Sequence, residues 1–205
     1  NLKCPYCHSR DLVYLKENMY PIVTEKINEY LESHRKDLDG IYISGGEPLM
    51  HEGVVSFLQY AKTLNYKIKI HTNGMFYERL KTILAQKLVD HVSLDIKNAP
   101  SAYAKTCGVE DMDLKDIEKS LDLLKQSVVP YDICVTLVDE LHNQATIEEL
   151  GEWIQGVDTV ILQPFEDRET TIDHSLHRPS FKVVLKYKKI FEKYVKHVKI
   201  RGDQA

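Results

Sequence analysis

No apolar run in this sequence approaches the roughly 18 residues that a membrane-crossing helix needs, and no charged-then-apolar leader opens it. A membrane protein is therefore not expected. Cysteine is scarce. The four cysteines, at positions 4, 7, 107 and 134, are too few and too scattered for a disulfide framework, so the cytoplasm is the expected compartment. Neither sign of charge dominates: 27 basic residues face 31 acidic ones, for a formal charge of −4. That balance excludes a broad electrostatic footprint for nucleic acid and leaves room only for a local basic patch. Low-complexity tracts, linkers and repeats longer than a strand–helix unit are also missing. What remains is 205 residues, 43% of them hydrophobic, enough to bury the core of one domain over 1–205.

Short runs rich in Ile and Val alternate with helical stretches along that length. The spacing predicts strands at 40–44, 67–71, 91–96, 131–138, 159–165 and 197–201. Helices are predicted near 22–35, 53–64, 77–88, 113–127, 146–155 and 180–195. Pro21 suits a first helical turn, Thr146 with Glu149 fits a capping box, and Asp113 and Ser180 suit N-caps. Such alternation argues for parallel strands joined by right-handed crossovers, in an open doubly wound sheet or a full or partial barrel. The stretch "EDRETTIDHSLHRP" (166–179) is the longest loop, of a length that is often functional or mobile.

Polar and glycine-rich residues recur where these strands end. Gly45-Gly46-Glu47-Pro48 follows the first, Thr72-Asn73-Gly74 the second, and Asp95 and Lys97 mark the third. Asp139 and Glu140 follow the fourth, and Gln163 lies in the fifth. In parallel α/β folds this carboxyl edge holds the ligand. Two glycines without Cβ atoms let a ligand approach the backbone closely, and Glu47 adds a carboxylate, which suits an amino acid's ammonium and carboxylate. The plain alternative is a tight strand-to-helix turn. Asp95 and Lys97, two apart, share one face of a strand. Burying either charge unpaired is costly, so they serve a ligand or form a structural ion pair.

Cys4-Pro5-Tyr6-Cys7 has three chemical readings: a redox dithiol, half a zinc site, or part of an iron–sulfur cluster. A dithiol of the glutaredoxin kind calls for a preceding strand and a shorter domain. A zinc site calls for four ligands, and beyond His8 only the His174/His177 pair is at hand. Cys107 and Cys134 read as small core residues.

Taken together and in this order, "NLKCPYCHSRD", "ISGGEP", "HTNG" and "LDIK" resemble the radical S-adenosylmethionine (SAM) enzymes. The likeness is strongest to the activating enzymes of glycyl-radical enzymes, of the pyruvate formate-lyase and anaerobic ribonucleotide reductase kinds. It runs from Cys4 to "KIRG" (199–202). The resemblance implies an α/β fold, a partial (β/α)6 TIM-type barrel with parallel strands. Cys4 and Cys7 match the second and third cysteines of Cys-x3-Cys-x2-Cys and would ligate a [4Fe–4S] cluster. The first would fall just before Asn1, so the chain is expected to be a core domain truncated at the N-terminus and lacking its first strand.

The resemblance also implies the cofactor contacts. Tyr6 and His8 lie in the cluster loop. Gly45, Gly46 and Glu47 match the segment that holds the methionine ammonium of SAM. Asp95 and Lys97 match residues beside the methionine carboxylate and ribose, and Thr72, Asn73 and Gln163 complete the cofactor-binding set. Two positions depart from the pyruvate formate-lyase activase pattern. His71 stands where that group carries an aspartate beside a monovalent cation, and Gln163-Pro164-Phe165-Glu166 stands where it carries Leu-Pro-Tyr-His. The latter is similar to the anaerobic ribonucleotide reductase activase relatives.

The implied activity is reductive cleavage of SAM at the cluster. A 5′-deoxyadenosyl radical would then take hydrogen from a backbone glycine of a glycyl-radical enzyme, with flavodoxin or ferredoxin as electron donor. No side chain is expected to act as a general acid or base. Two alternatives stand beside this: the same radical directed at a small molecule or peptide, and a cluster-less binding module with a SAM-like pocket. Two cysteines alone are expected to hold no ordered cluster, and residues 1–20 are then expected to be loosely held.

Overall fold

The computed structural model describes residues 1–15 and 20–202. Six strands form one sheet: β1 (Gly40–Ile43), β2 (Lys67–Thr72), β3 (His91–Asp95), β4 (Tyr131–Leu137), β5 (Thr159–Pro164) and β6 (His197–Ile200). Their spatial order is their chain order, and every pair is parallel. The sheet is not closed: β1 and β6 each pair on one side only. Among the described residues eight α-helices accompany it: α1 (Arg10–Val13), α2 (Thr24–Ser33), α3 (Val54–Thr63), α4 (Tyr77–Ala85), α5 (Tyr103–Thr106), α6 (Lys115–Lys125), α7 (Gln144–Trp153) and α8 (Phe181–Phe191). The expected partial barrel of parallel strands is therefore present. Among the described residues no helix is long and apolar enough to cross a membrane.

Alternation within the strands assigns their two faces. Ile68, Ile70, Val92, Leu94, Ile133, Val135, Val160 and Leu162 are buried in the core with the helices. Their neighbours in sequence point the other way, as the period of two requires. Register lines up Tyr42 with Lys69, Lys69 with His91, Ser93 with Asp132 and Ile161 with Lys199. The second face is thus mostly polar and bonds across strands. Asp132 accepts from Ser93 Oγ at 2.6 Å and lies 2.6 Å from His91 Nε2 and 3.3 Å from Lys69 Nζ. Burial acts to raise the Asp132 pKa, but these donors hold it below the usual range.

Several local expectations need correction. Pro21 precedes the first turn of α2, because Val23 is still extended (ψ 141°) as its N-cap. The capping box of α7 is Asn143 with Thr146, since the helix starts two residues earlier than expected; Glu149 instead accepts from Ser101 N at 2.9 Å. At α6 the N-cap is Leu114, although Asp113 still accepts from Lys115 N at 3.0 Å. Ser180 does cap α8, accepting from Val183 N.

The expectation of a loosely held N-terminus fails for its first eight residues. Lys3 N donates to Cys107 O at 3.1 Å, and Cys7 N closes a turn onto Cys4 O at 2.9 Å. The long 166–179 loop straps this turn down: Ile172 N donates to Cys7 O at 3.2 Å and Asp173 N to Pro5 O at 2.9 Å. Gly108 makes the approach possible: it has φ +68°, and a Cβ there would sit 2.3 Å from Lys3 O. α1 buries no residue, and 16–19 lie outside the described residues.

Candidate cofactor site

A cavity of about 500 Å³ opens at the carboxyl ends of β1, β2 and β3. Its lining includes Cys4, Tyr6, Cys7, Gly45, Gly46, Glu47, His71, Thr72, Asn73, Asp95 and Lys97. Its volume is in the range of small-molecule sites. Ten of the twelve expected site residues therefore meet here, Cys4, Tyr6 and Cys7 among them. His8 and Gln163 lie outside the lining. His8 Nε2 is 2.7 Å from Glu166 O, and Gln163 accepts from Arg201 on the polar sheet face at 2.7 Å.

Glu47 and Thr72 turn out to be braces. Glu47 Oε1 accepts from Leu49 N at 3.0 Å and Thr72 Oγ1 at 2.8 Å, and Oε2 accepts from Asn73 N at 2.8 Å. Thr72 Oγ1 in turn accepts from Gly74 N at 3.2 Å. The carboxylate thereby ties the glycine turn after β1 to the Thr-Asn-Gly turn after β2. Burial raises the Glu47 pKa against these donors. Gly45, at φ +115°, and Gly46 leave their backbone open to the cavity.

Asp95 and Lys97 form the charged floor, with Nζ to Oδ2 at 2.6 Å. Burial opposes both charges. The pair nevertheless stays charged: Lys97 and His71 hold Asp95 well below the usual carboxylate range, and Asp95 holds Lys97 well above the usual amine range. Lys97 Nζ also lies 5.9 Å above the Tyr6 ring. Cys4 is held below the ordinary thiol value, chiefly by a hydrogen bond from Cys107, with burial opposing and Lys97 helping. Cys107 is pushed up correspondingly. A thiol eased toward its thiolate is prepared to ligate a metal.

Three buried polar atoms on this lining have no hydrogen-bond partner: Tyr6 Oη, His71 Nε2 and Asp95 Oδ1. Buried polar atoms are nearly always paired, so a cluster of unpaired ones around one cavity fits a polar ligand. Among the described residues no three His, Cys, Asp or Glu side chains group to hold a metal. Cys4 and Cys7 bring two thiols to the cavity wall.

The comparisons with known proteins agree with this geometry. The radical SAM superfamily matches residues 1–154. The chain belongs to the radical SAM superfamily. It is 30% identical over 207 residues to a Methanocaldococcus jannaschii protein, MJ1227, assigned by name to the glycyl-radical enzyme activating enzymes, across 98% of this chain and 85% of that one. A GTP 3′,8-cyclase of Alkaliphilus oremlandii is 24% identical over 159 residues, covering 76% of this chain and 48% of the cyclase. Among solved structures, a domain of a pyruvate-formate lyase-activating enzyme from Bacteroides vulgatus superposes with TM-score 0.63 at 19% identity, over 80% of this chain and 99% of that one. Streptococcus suis SuiB bound to S-adenosylmethionine superposes with TM-score 0.75 at 14% identity, over 98% of this chain and 48% of SuiB. These two share the fold.

Sequence reasoning missed the residues that hold Lys97 from behind. His142 accepts from Val138 N through Nδ1 at 3.1 Å, which leaves Nε2–H to donate to Lys97 O at 3.0 Å. Tyr103 Oη accepts from Lys97 N at 3.3 Å. Burial lowers the His142 pKa, so the imidazole is neutral in the fold. A depressed histidine contributes stability fully above its ordinary value near 6.5 and loses it as pH falls below that. Denaturant midpoints of the wild type are thus expected to drop between pH 7 and pH 5.5. His142→Gln is expected to be less stable at pH 7 and to show a flatter dependence over that interval.

Proposed function

We propose that this chain is the core of a glycyl-radical enzyme activating enzyme that binds SAM and a [4Fe–4S] cluster in the cavity at the ends of β1–β3. The observation that carries this reading is the meeting of two thiols, an open glycine backbone, a buried Asp95–Lys97 pair and three unpaired buried polar atoms around one cavity. When bound, the cofactors supply reductive cleavage of the sulfonium and a carbon-centred radical that abstracts hydrogen. The chain's own residues bind and orient. Cys4 and Cys7 would ligate iron. The Gly45–Gly46 backbone would take the amino-acid end of SAM, and Lys97 would face its carboxylate. Glu47 and Thr72 keep the two turns in register, and the Tyr6 ring lies 5.9 Å from the Lys97 ammonium. The names of the relatives at 30% and 32% identity support a glycyl-radical enzyme as partner.

The test is anaerobic reconstitution of the full-length protein with iron and sulfide. It is expected to take up about four irons per chain and to absorb broadly near 400 nm, as thiolate-held clusters do. With a low-potential reductant it is expected to release 5′-deoxyadenosine from SAM. Added glycyl-radical enzyme is expected to acquire the glycyl radical's paramagnetic doublet. Cleavage with hydrogen taken only from a small molecule would move the target to that class, and iron-free protein that binds SAM unchanged would favour the binding module.

A further inference from the structure

Charge is segregated along this chain. Eight of its 27 basic residues but one of its 31 acidic residues lie in 181–201, so that segment carries +7 where the whole chain carries −4. The segment comprises α8, the turn after it and β6. α8 buries Val184, Tyr187, Ile190 and Phe191 in the core, which leaves its other side to solvent. The helical period puts Lys182, Lys186 and Lys189 in one stripe along that side, and Lys193 follows in the turn beyond. All four are exposed. Lys188 is engaged by Glu192 at 3.7 Å and Lys196 by Asp158 at 3.3 Å, but among the described residues none of the four stripe lysines is in an ion pair. Beside the stripe Phe181 and Leu185, one turn apart, are 55% and 39% exposed.

An apolar pair edged by unpaired charge suits a protein interface, where apolar anchors make the contact and rim charges steer the approach. Arginine dominates the reading of nucleic acid, and α8 has none. A helix lying in a membrane surface needs its apolar face outward, whereas that of α8 is in the core. The face also stands next to the cysteine turn. α8 begins directly after the 166–179 strap, whose Ile172 N donates to Cys7 O and Asp173 N to Pro5 O. No residue of α8 lines the cavity. A partner that must place a reacting group in the cavity gains nothing here, but one that delivers only an electron to the Cys4–Cys7 turn does.

We infer that the exposed side of α8 docks an acidic one-electron carrier protein, with the lysine stripe steering it and Phe181 and Leu185 as apolar contacts. This rests on the cofactor reading above, in which the cluster takes its electron from outside the chain. The carrier is oxidised by one electron and the cluster reduced by one; no bond forms or breaks between the two proteins.

The probe is an acidic flavodoxin. It would be titrated calorimetrically into the full-length protein with and without the cluster, and mixed in reduced form with the reconstituted protein in stopped flow. In wild type, affinity and electron-transfer rate are both expected to fall about 10-fold or more between about 0.05 and 0.3 M salt. The triple variant Lys182→Gln, Lys186→Gln, Lys189→Gln keeps residues of similar helix propensity. It is expected to lose about 10-fold in both at low salt and to show a flatter salt dependence. Its melting temperature, SAM binding and reduction by dithionite are expected to match wild type. Lys115→Gln, Lys119→Gln, Lys125→Gln makes the same charge change on the exposed side of α6 and is expected to behave as wild type. Equal losses in the two triple variants would reduce the effect to net charge and overturn the inference. Flavodoxin binding that is undiminished in the α8 variant, or absent in wild type, would overturn it too. So would an α8 variant that loses only binding to a single-stranded oligonucleotide or to phosphatidylserine vesicles. Wild type that takes up no iron on reconstitution would sink the cofactor reading itself, and this inference with it.

Discussion

Replacing Cys7 by alanine is expected to abolish both the cluster absorbance near 400 nm and SAM cleavage while leaving the fold intact. The two outcomes separate because the turn around Cys7 is held by backbone. Its N–H donates to Cys4 O, and its carbonyl accepts from Ile172 N. The sulfur accepts a hydrogen bond from Ser9 N at 3.3 Å. Removing it costs the fold about 1 kcal/mol at most, the scale of one ordinary hydrogen bond. Removing it from a three-thiolate site takes away a ligand that nothing else among the described residues replaces. Cys134→Ala is the control, because that thiol sits on β4 and does not line the cavity. Iron content, absorbance and 5′-deoxyadenosine release would be measured on all three proteins, with melting curves alongside. Retained cleavage in Cys7→Ala would refute ligation by Cys4 and Cys7. Robust thiol–disulfide exchange in the wild type would revive the dithiol reading.

Much of the sheet was legible because burial on one face imposes a period of two, and a parallel sheet then follows from the helices between strands. The motifs at strand ends were legible for the same reason: "GGEP", "HTNG" and "LDIK" each sit where a strand must stop. The roles within them were less legible. Glu47 looked like a ligand contact from sequence, but its oxygens are occupied by groups 2 to 26 residues away. The Tyr42–His71 contact spans 29 positions and the His142–Lys97 contact 45, across strands and loops whose pairing the sequence does not print. Cys107 read as core because its link to Cys4 depends on how the 103–108 segment folds back onto Lys3. Helix starts were misread where a cap competed: Asn143 is itself extended (φ −132°, ψ 175°) and accepts from Thr146 N, so it caps α7 in place of Thr146.

Lys97→Ala is expected to damage stability and cofactor binding together, and the two effects can be pulled apart. The substitution leaves the Asp95 carboxylate without the ammonium 2.6 Å away that opposes its burial. Breaking one side of a buried pair typically costs about 3–5 kcal/mol. The pH dependence follows from the signs. In the wild type the Asp95 pKa is depressed, so the stability from that group is present above about pH 4 and lost on acidification below it. In Lys97→Ala only His71 is left to oppose burial, so the Asp95 pKa rises relative to the wild type and the variant keeps less of the stability that Asp95 supplies above about pH 4. The deficit should therefore widen from pH 4 to pH 7 in urea titrations. A neutral pair, Asp95→Asn with Lys97→Met, removes the stranded charge and is expected to recover most of that stability. It is not expected to recover SAM affinity, because the ammonium that faces the ligand carboxylate is still missing. That loss should be about 1.5–3 kcal/mol, or roughly 10- to 150-fold in Kd, the worth of one charged hydrogen bond. If the double variant regained both stability and SAM binding, Lys97 would be a structural partner of Asp95 and not a cofactor contact.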